Sequence, residues 1–187
     1  MRWSITGAII GVIAVLAIFA RLESEAPTSL EARKLVATEL NQLELTRYDD
    51  DGRKLEVSRA DHAVQLEGES ELLLGGLHVE REDEQGVRWQ LEAPRGLSAT
   101  RNDTLVLSGG VTVTRGDEVT MVTEQLTIDT ASSLAKSSSR ATLTSERGVT
   151  TGSRLQIDFR GGTAALQGGV TSSFDKAPSF DKGSSGK

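Results

Sequence analysis

The stretch from Trp89 to Val113 leaves this chain few ways to fold. Trp89, Leu91 and Ala93 alternate with polar Gln90 and Glu92, Leu105 and Leu107 flank Val106, and Val111 and Val113 flank Thr112. Successive side chains of a strand point to opposite faces, so strict alternation assigns one apolar set to one side of a sheet. Arg101-Asn102-Asp103 supplies turn chemistry between two of these strands. Gly109-Gly110 interrupts the strand without reversing it, as a glycine bulge or corner does. Odd-numbered positions are apolar on both sides of that kink, so one surface is offered inward throughout.

The pattern recurs. Leu74-Gly75-Gly76-Leu77-His78-Val79 and Leu166-Gln167-Gly168-Gly169-Val170 repeat the kinked segment Leu107 to Val113. A partner strand precedes each copy: Leu55/Val57, Trp89/Leu91, and Leu155/Ile157/Phe159. A degenerate copy runs from Val119/Met121 through Leu126/Ile128 to Ala141/Leu143. The period of roughly thirty residues is that of a repeat architecture, whose units bury their apolar face only by stacking on neighbours.

Turn signals punctuate the rest. Asp49-Asp50-Asp51-Gly52 follows Leu43/Leu45, and further turns fall at Glu82 to Gly86, Gly116-Asp117, Glu146-Arg147-Gly148 and Gly161-Gly162. About a dozen short strands with almost no helical periodicity predict an all-β domain over 42–174. Before it, 22–41 reads as a linker, with Pro27, Ser29 and mixed charges, in which Glu31 to Leu40 offers at most a short helix without a clean apolar face. After it, 175–187 is rich in Ser, Gly and Lys and reads as a disordered tail.

Residues 1–21 form a predicted transmembrane anchor. Trp3 to Ala20 is uncharged and bracketed by Arg2 and Arg21. As a helix it spans roughly 27 Å, close to a hydrocarbon core of about 30 Å. The rival is a cleaved signal peptide, but the best cleavage site, after Ala26, is followed at once by Pro27, and a single Arg2 makes a thin basic region. Arg2 and the α-amino group lean toward a cytoplasmic N-terminus, which puts the sheet domain outside the cytoplasmic membrane. Gly7 and Gly11 make a small-residue step that suits packing against a partner's membrane helix, although glycine is also simply common in such helices.

Catalytic chemistry is hard to find. The 187 residues include no cysteine, which removes thiol chemistry and thiolate metal sites. His62 and His78 lack metal-ligand spacing, and the acidic run at Asp49 to Asp51 has no second ligand group, so no metal and no cofactor is expected. On a strand Ser58 and His62 share a face while Asp61 points away, which defeats a catalytic triad. The glycine pairs are not followed by Gly-Lys-Ser/Thr or a helix, so they are not phosphate loops. A net charge of −6 without a basic aromatic face argues against nucleic acid. The chain does not read as an enzyme.

Three segments carry a resemblance: Tyr48-x-x-x-Gly52-x-x-Leu55 with Ala60 after it; Trp89-x-Leu91-x-Ala93 continuing through Leu105-x-Leu107-x-Gly109-x-Val111-x-Val113; and Leu143 through Gly152 to Leu155 and Ile157. With the anchor, tether and sheet in this order, the chain resembles the LptC family of lipopolysaccharide export, within the OstA-like β-jellyroll superfamily shared with LptA and LptD. The resemblance implies a twisted antiparallel β-jellyroll, V-shaped in section, whose apolar interior holds lipopolysaccharide acyl chains while phosphates and sugars stay outside. It implies lipid transfer from the inner-membrane ABC transporter (LptB, LptF and LptG), engaged through the anchor and the N-terminal edge, to LptA at a C-terminal edge near Leu155 to Val170. The interior residues expected from alternation are Leu55, Val57, Leu66, Leu72, Leu74, Trp89, Leu91, Leu107, Val111, Val113, Met121, Ile128, Leu155, Ile157 and Phe159. A membrane-tethered β-solenoid scaffold of the bactofilin kind, with a filled core and no lipid, is the alternative architecture.

Overall fold

Alternation of this kind needs hydrogen-bonded neighbours on both sides, and a chain of short turns supplies them by folding back on itself. In the computed structural model, which describes residues 36–48, 51–99 and 103–174, twelve strands form one sheet. Six are long: β1 (Val36–Tyr48), β2 (Lys54–Leu66), β3 (Glu71–Glu82), β4 (Arg88–Ala99), β5 (Thr104–Arg115) and β6 (Val119–Asp129). Six are short: β7 (Leu134–Ser137), β8 (Ala141–Ser145), β9 (Gly148–Gly152), β10 (Arg154–Asp158), β11 (Thr163–Gln167) and β12 (Thr171–Phe174). The long strands pair in sequence order, and then β6 pairs with both β7 and β8. From there the sheet continues as two arms, β7-β10-β11 and β8-β9-β12. Each pair of short strands is thus one traverse of the sheet broken in the middle.

The break has a single cause along the whole sheet. On β3 the buried side chains are Leu72 and Leu74, then Leu77; on β6 they are Met121 and Thr123, then Leu126 and Ile128. Two residues instead of one separate the buried positions at Gly75-Gly76 and at Glu124-Gln125. A strand of period two cannot place three residues' spacing on one face unless it bends there. On β5 the gap between Leu107 and Val111 holds one residue more, and the pairing register with β6 shifts at that point. Gly109 and Gly110 take φ of 90° and 91°, a conformation that costs any side-chain-bearing residue heavily. Gly76 on β3, Gly168 and Gly169 between β11 and β12, and Gln42 on β1 also have positive φ along this line. The glycine pairs are therefore corners, and together they make a crease across the sheet.

The crease divides the sheet into two leaves whose apolar faces meet. Trp89, on one leaf, packs edge-on against Phe159, which follows β10 on the other, with ring centroids 5.2 Å apart. One cluster of buried residues, including Leu74, Leu91, Leu107, Val113, Met121, Leu126 and Ile157, fills the space between. At the ends remote from the crease, the β3–β4 turn is tied to the β10–β11 turn by the Glu84 N–H donating to the Arg160 carbonyl at 3.3 Å.

Three expectations change. The sheet starts at Val36, inside the stretch read as linker or short helix. β1 is an edge strand with most side chains exposed, so its first half carries no apolar alternation to read. The C-terminal edge expected near Leu155 to Val170 narrows to β11, because β10 is paired on both sides, and β12 beyond that range is a second free strand. The solenoid alternative fails, since solenoid rungs run parallel and every pairing among the described residues is antiparallel. The predicted anchor with Gly7 and Gly11, most of the linker, the Arg101-Asn102 part of one turn and the tail lie outside the described residues.

Candidate functional site

The site is built from the two leaves inward. Between them, toward β1 to β4, lies a cavity of about 70 Å³. One leaf contributes Leu43, Leu45, Ser58, Ala60, Leu77, Val79 and Leu91; the other contributes Leu74, Leu105, Ile128 and Phe159. The surface it presents is mostly apolar, with Trp89 and Phe159 closing one side, and polar Glu56, Ser58, Arg59, Arg81, Gln90, Ser98 and Thr130 complete the lining. Pockets that enclose a drug-sized ligand hold about 300–1,000 Å³. The space between the leaves as they stand is smaller than that.

A buried polar node fastens the closed end. Asp83 on the β3–β4 turn is 0% exposed at its side chain. Its Oδ1 accepts the backbone N–H groups of Val87 at 2.9 Å and Gln85 at 3.0 Å. Its Oδ2 accepts the Trp89 indole N–H at 3.0 Å and two N–H groups of Arg115, at 3.0 and 2.8 Å. Burial pushes the carboxyl up, but the hydrogen bonds from Val87, Trp89, Arg115 and Gln85 outweigh it and hold Asp83 below its ordinary value. A carboxyl lowered on folding contributes stability that is fully present above about pH 4 and is lost as pH falls through the lowered folded value. Asp83→Asn should therefore cost about 1–3 kcal/mol at neutral pH, and denaturation midpoints followed from pH 7 downward should show a shallower acid decline than wild type.

A second polar group lies on the inner face itself. Arg47 on β1, Glu56 on β2 and Arg81 on β3 sit directly opposite one another in the register. Arg47 Nη2 donates to Glu56 Oε2 at 3.3 Å, and Arg81 Nη1 lies 3.9 Å from the same oxygen. Burial pushes the Arg81 guanidinium below its ordinary value, with Glu56 pulling it back. Arg81 also stands over the Phe159 ring at 5.9 Å.

Most residues expected inside are in the buried cluster: Leu72, Leu74, Trp89, Leu91, Leu107, Val111, Val113, Met121, Ile128, Leu155, Ile157 and Phe159. Of these, Leu74, Trp89, Leu91, Ile128 and Phe159 line the cavity, whereas Leu107 lies deep beside Gly96. Leu55, Val57 and Leu66 do not join the cluster. On β2 the inner positions are Glu56, Ser58 and Ala60, then Ala63 past the crease, so the three apolar residues fall on the outer face. Val57 is nevertheless buried there. Ser58 faces the cavity while His62 is exposed, because the crease separates them. His78 is also apart, held on the outer face between Glu80 at 3.0 Å and Glu92 at 3.3 Å.

Sequence reasoning missed Arg47, Glu56, Arg81 and Asp83. A signal existed for two of them: Leu43-x-Leu45-x-Arg47 and Leu77-x-Val79-x-Arg81 each continue an apolar alternation into an arginine. At the sheet's two margins, β1 and β11/β12 present unpaired backbone, with Val36, Tyr48, Val170 and Phe174 among the exposed apolar side chains.

A family model described as lipopolysaccharide-assembly, LptC-related, matches residues 8–175. No curated protein matches the chain in sequence.

Proposed function

Since the chain belongs to the LptC-related family of lipopolysaccharide-assembly proteins, we propose that it accepts lipopolysaccharide from the inner-membrane ABC transporter and passes it to the periplasmic bridge protein LptA. The chain serves lipopolysaccharide transport and is not an enzyme. In the proposed arrangement residues 1–21 anchor it in the inner membrane, with Gly7 and Gly11 against transporter helices and the sheet in the periplasm. LptF and LptG meet the anchor and β1, LptB supplies the work of ATP hydrolysis, and LptA adds its sheet to β11 and β12.

The observation that carries this reading is the mostly apolar cavity shared by two leaves of a sheet whose margins are both open. Acyl chains need an apolar trough without directional contacts, and a sheet lengthened at its margins by other sheets makes that trough continuous. The overall charge of −6 favours a role for the interior over one for an extended cationic surface.

The test is a photo-crosslinking residue in place of Leu105, which lines the cavity from β5. In an intact Gram-negative envelope it should yield a lipopolysaccharide adduct that depends on ATP. An otherwise folded protein that crosslinks only to itself would overturn the conduit.

A further inference from the structure

The Arg47–Glu56–Arg81 row has more positive charge than it can use. Both guanidinium groups lean on one oxygen of Glu56, while the other oxygen meets only the Ser58 hydroxyl at 3.4 Å. The three side chains are 15%, 7% and 11% exposed, so water screens them little. Nε and Nη1 of both arginines are buried and have no hydrogen-bond partner within the described residues. Nearby Arg160 and Asp158 act on Arg81 with opposite signs, and Asp158 is already engaged by the backbone N–H groups of Arg160 and Gly161. A surplus cation in so enclosed a place costs stability unless an anion joins it.

Glu56 and Arg81 also line the apolar cavity, so a chain lying there runs beside this row. We propose that Arg47 and Arg81 form a subsite for the acidic group of the amphiphile in the cavity, a phosphate monoester or a carboxylate. This deepens the conduit reading and rests on it. The planar fork of guanidinium suits both anions, and a single negative charge brings the row to neutrality. The interior is then an apolar trough with a charged rim at the strand ends remote from the crease: the chain is held by burial and its acid by the row.

The experiment uses the full chain in neutral detergent with Trp3→Phe, which leaves Trp89 as the sole tryptophan, at the cavity wall. Quenching of Trp89 is titrated with bromine-labelled tetradecyl phosphate, tetradecanoate and tetradecanol. At least one acid should bind about tenfold or more tighter than the alcohol. The tighter of the two acids identifies which source the site serves. Arg47→Met leaves a balanced Glu56–Arg81 pair and should abolish that preference without changing the alcohol. Glu56→Gln removes the competing carboxylate and should strengthen the acid. Equal binding of acids and alcohol by wild type, or equal loss of all three in Arg47→Met, overturns the subsite and leaves the conduit standing. No quenching by any chain overturns the conduit, and the subsite with it.

Discussion

Trp89→Ala should destabilise the domain by about 3–5 kcal/mol, a large share of the 5–15 kcal/mol that holds a typical domain together. Three losses coincide. A side chain 1% exposed leaves a cavity at the meeting of the two leaves. The edge-on contact with Phe159 disappears, and so does the Arg115 guanidinium's perch 5.7 Å above the ring. Asp83 loses an indole donor in a place where water does not replace it. Trp89→Phe restores much of the volume but not the donor, and its cost should be about 1–3 kcal/mol. Urea denaturation followed by far-ultraviolet circular dichroism separates the variants. A loss below about 1 kcal/mol for Trp89→Ala would mean that the leaves are not held together at this point.

Locking the leaves should stop lipid capture altogether. In the proposed conduit an acyl chain needs more room than the cavity of about 70 Å³ gives, and the seam proposed to part is that between the β3–β4 and β10–β11 turns. Glu84 and Arg160 meet there by a backbone hydrogen bond, so these are the two positions to join. Because the natural chain has no cysteine, Glu84→Cys with Arg160→Cys introduces the sole thiols. The oxidised form should give no lipopolysaccharide adduct at position 105, and reduction should restore it. An undiminished adduct in the oxidised form would show that lipid enters without parting this seam.

The inner face was easiest to read where a strand is paired on both sides and apolar on one. Trp89, Leu91, Leu107, Val111, Val113 and Met121 satisfy that condition, and alternation alone finds them. The glycine pairs were legible as corners because little else accounts for two adjacent glycines inside an apolar run. β2 misled because its inner half is polar: Glu56 and Ser58 are interior only by virtue of Arg47 and Arg81, partners on separate strands. A pattern rule sees Leu55 and Val57 and takes the wrong face. The start of β1 was invisible for a related reason, since an edge strand takes its order from its neighbour's backbone and not from its own side chains. The Asp83 node was illegible because its partners include residues 6 and 32 positions away in sequence, joined only once the turns have closed.

The crease also acts as a lock on what can join the sheet. It reaches the margin at Gln42, whose φ of 56° bends β1 in line with the interior strands. A strand docking along all of β1 must bend at the matching height, or it keeps its hydrogen bonds on one side of Gln42 and forfeits them on the other. Flat strands, the usual agents of edge-to-edge aggregation, are thereby penalised by half their ladder. A partner that carries its own corner in the same register forfeits nothing. Backbone shape alone thus confers selectivity on a margin whose side chains are mostly exposed, and the same bend that gathers the apolar faces decides which neighbours can extend them.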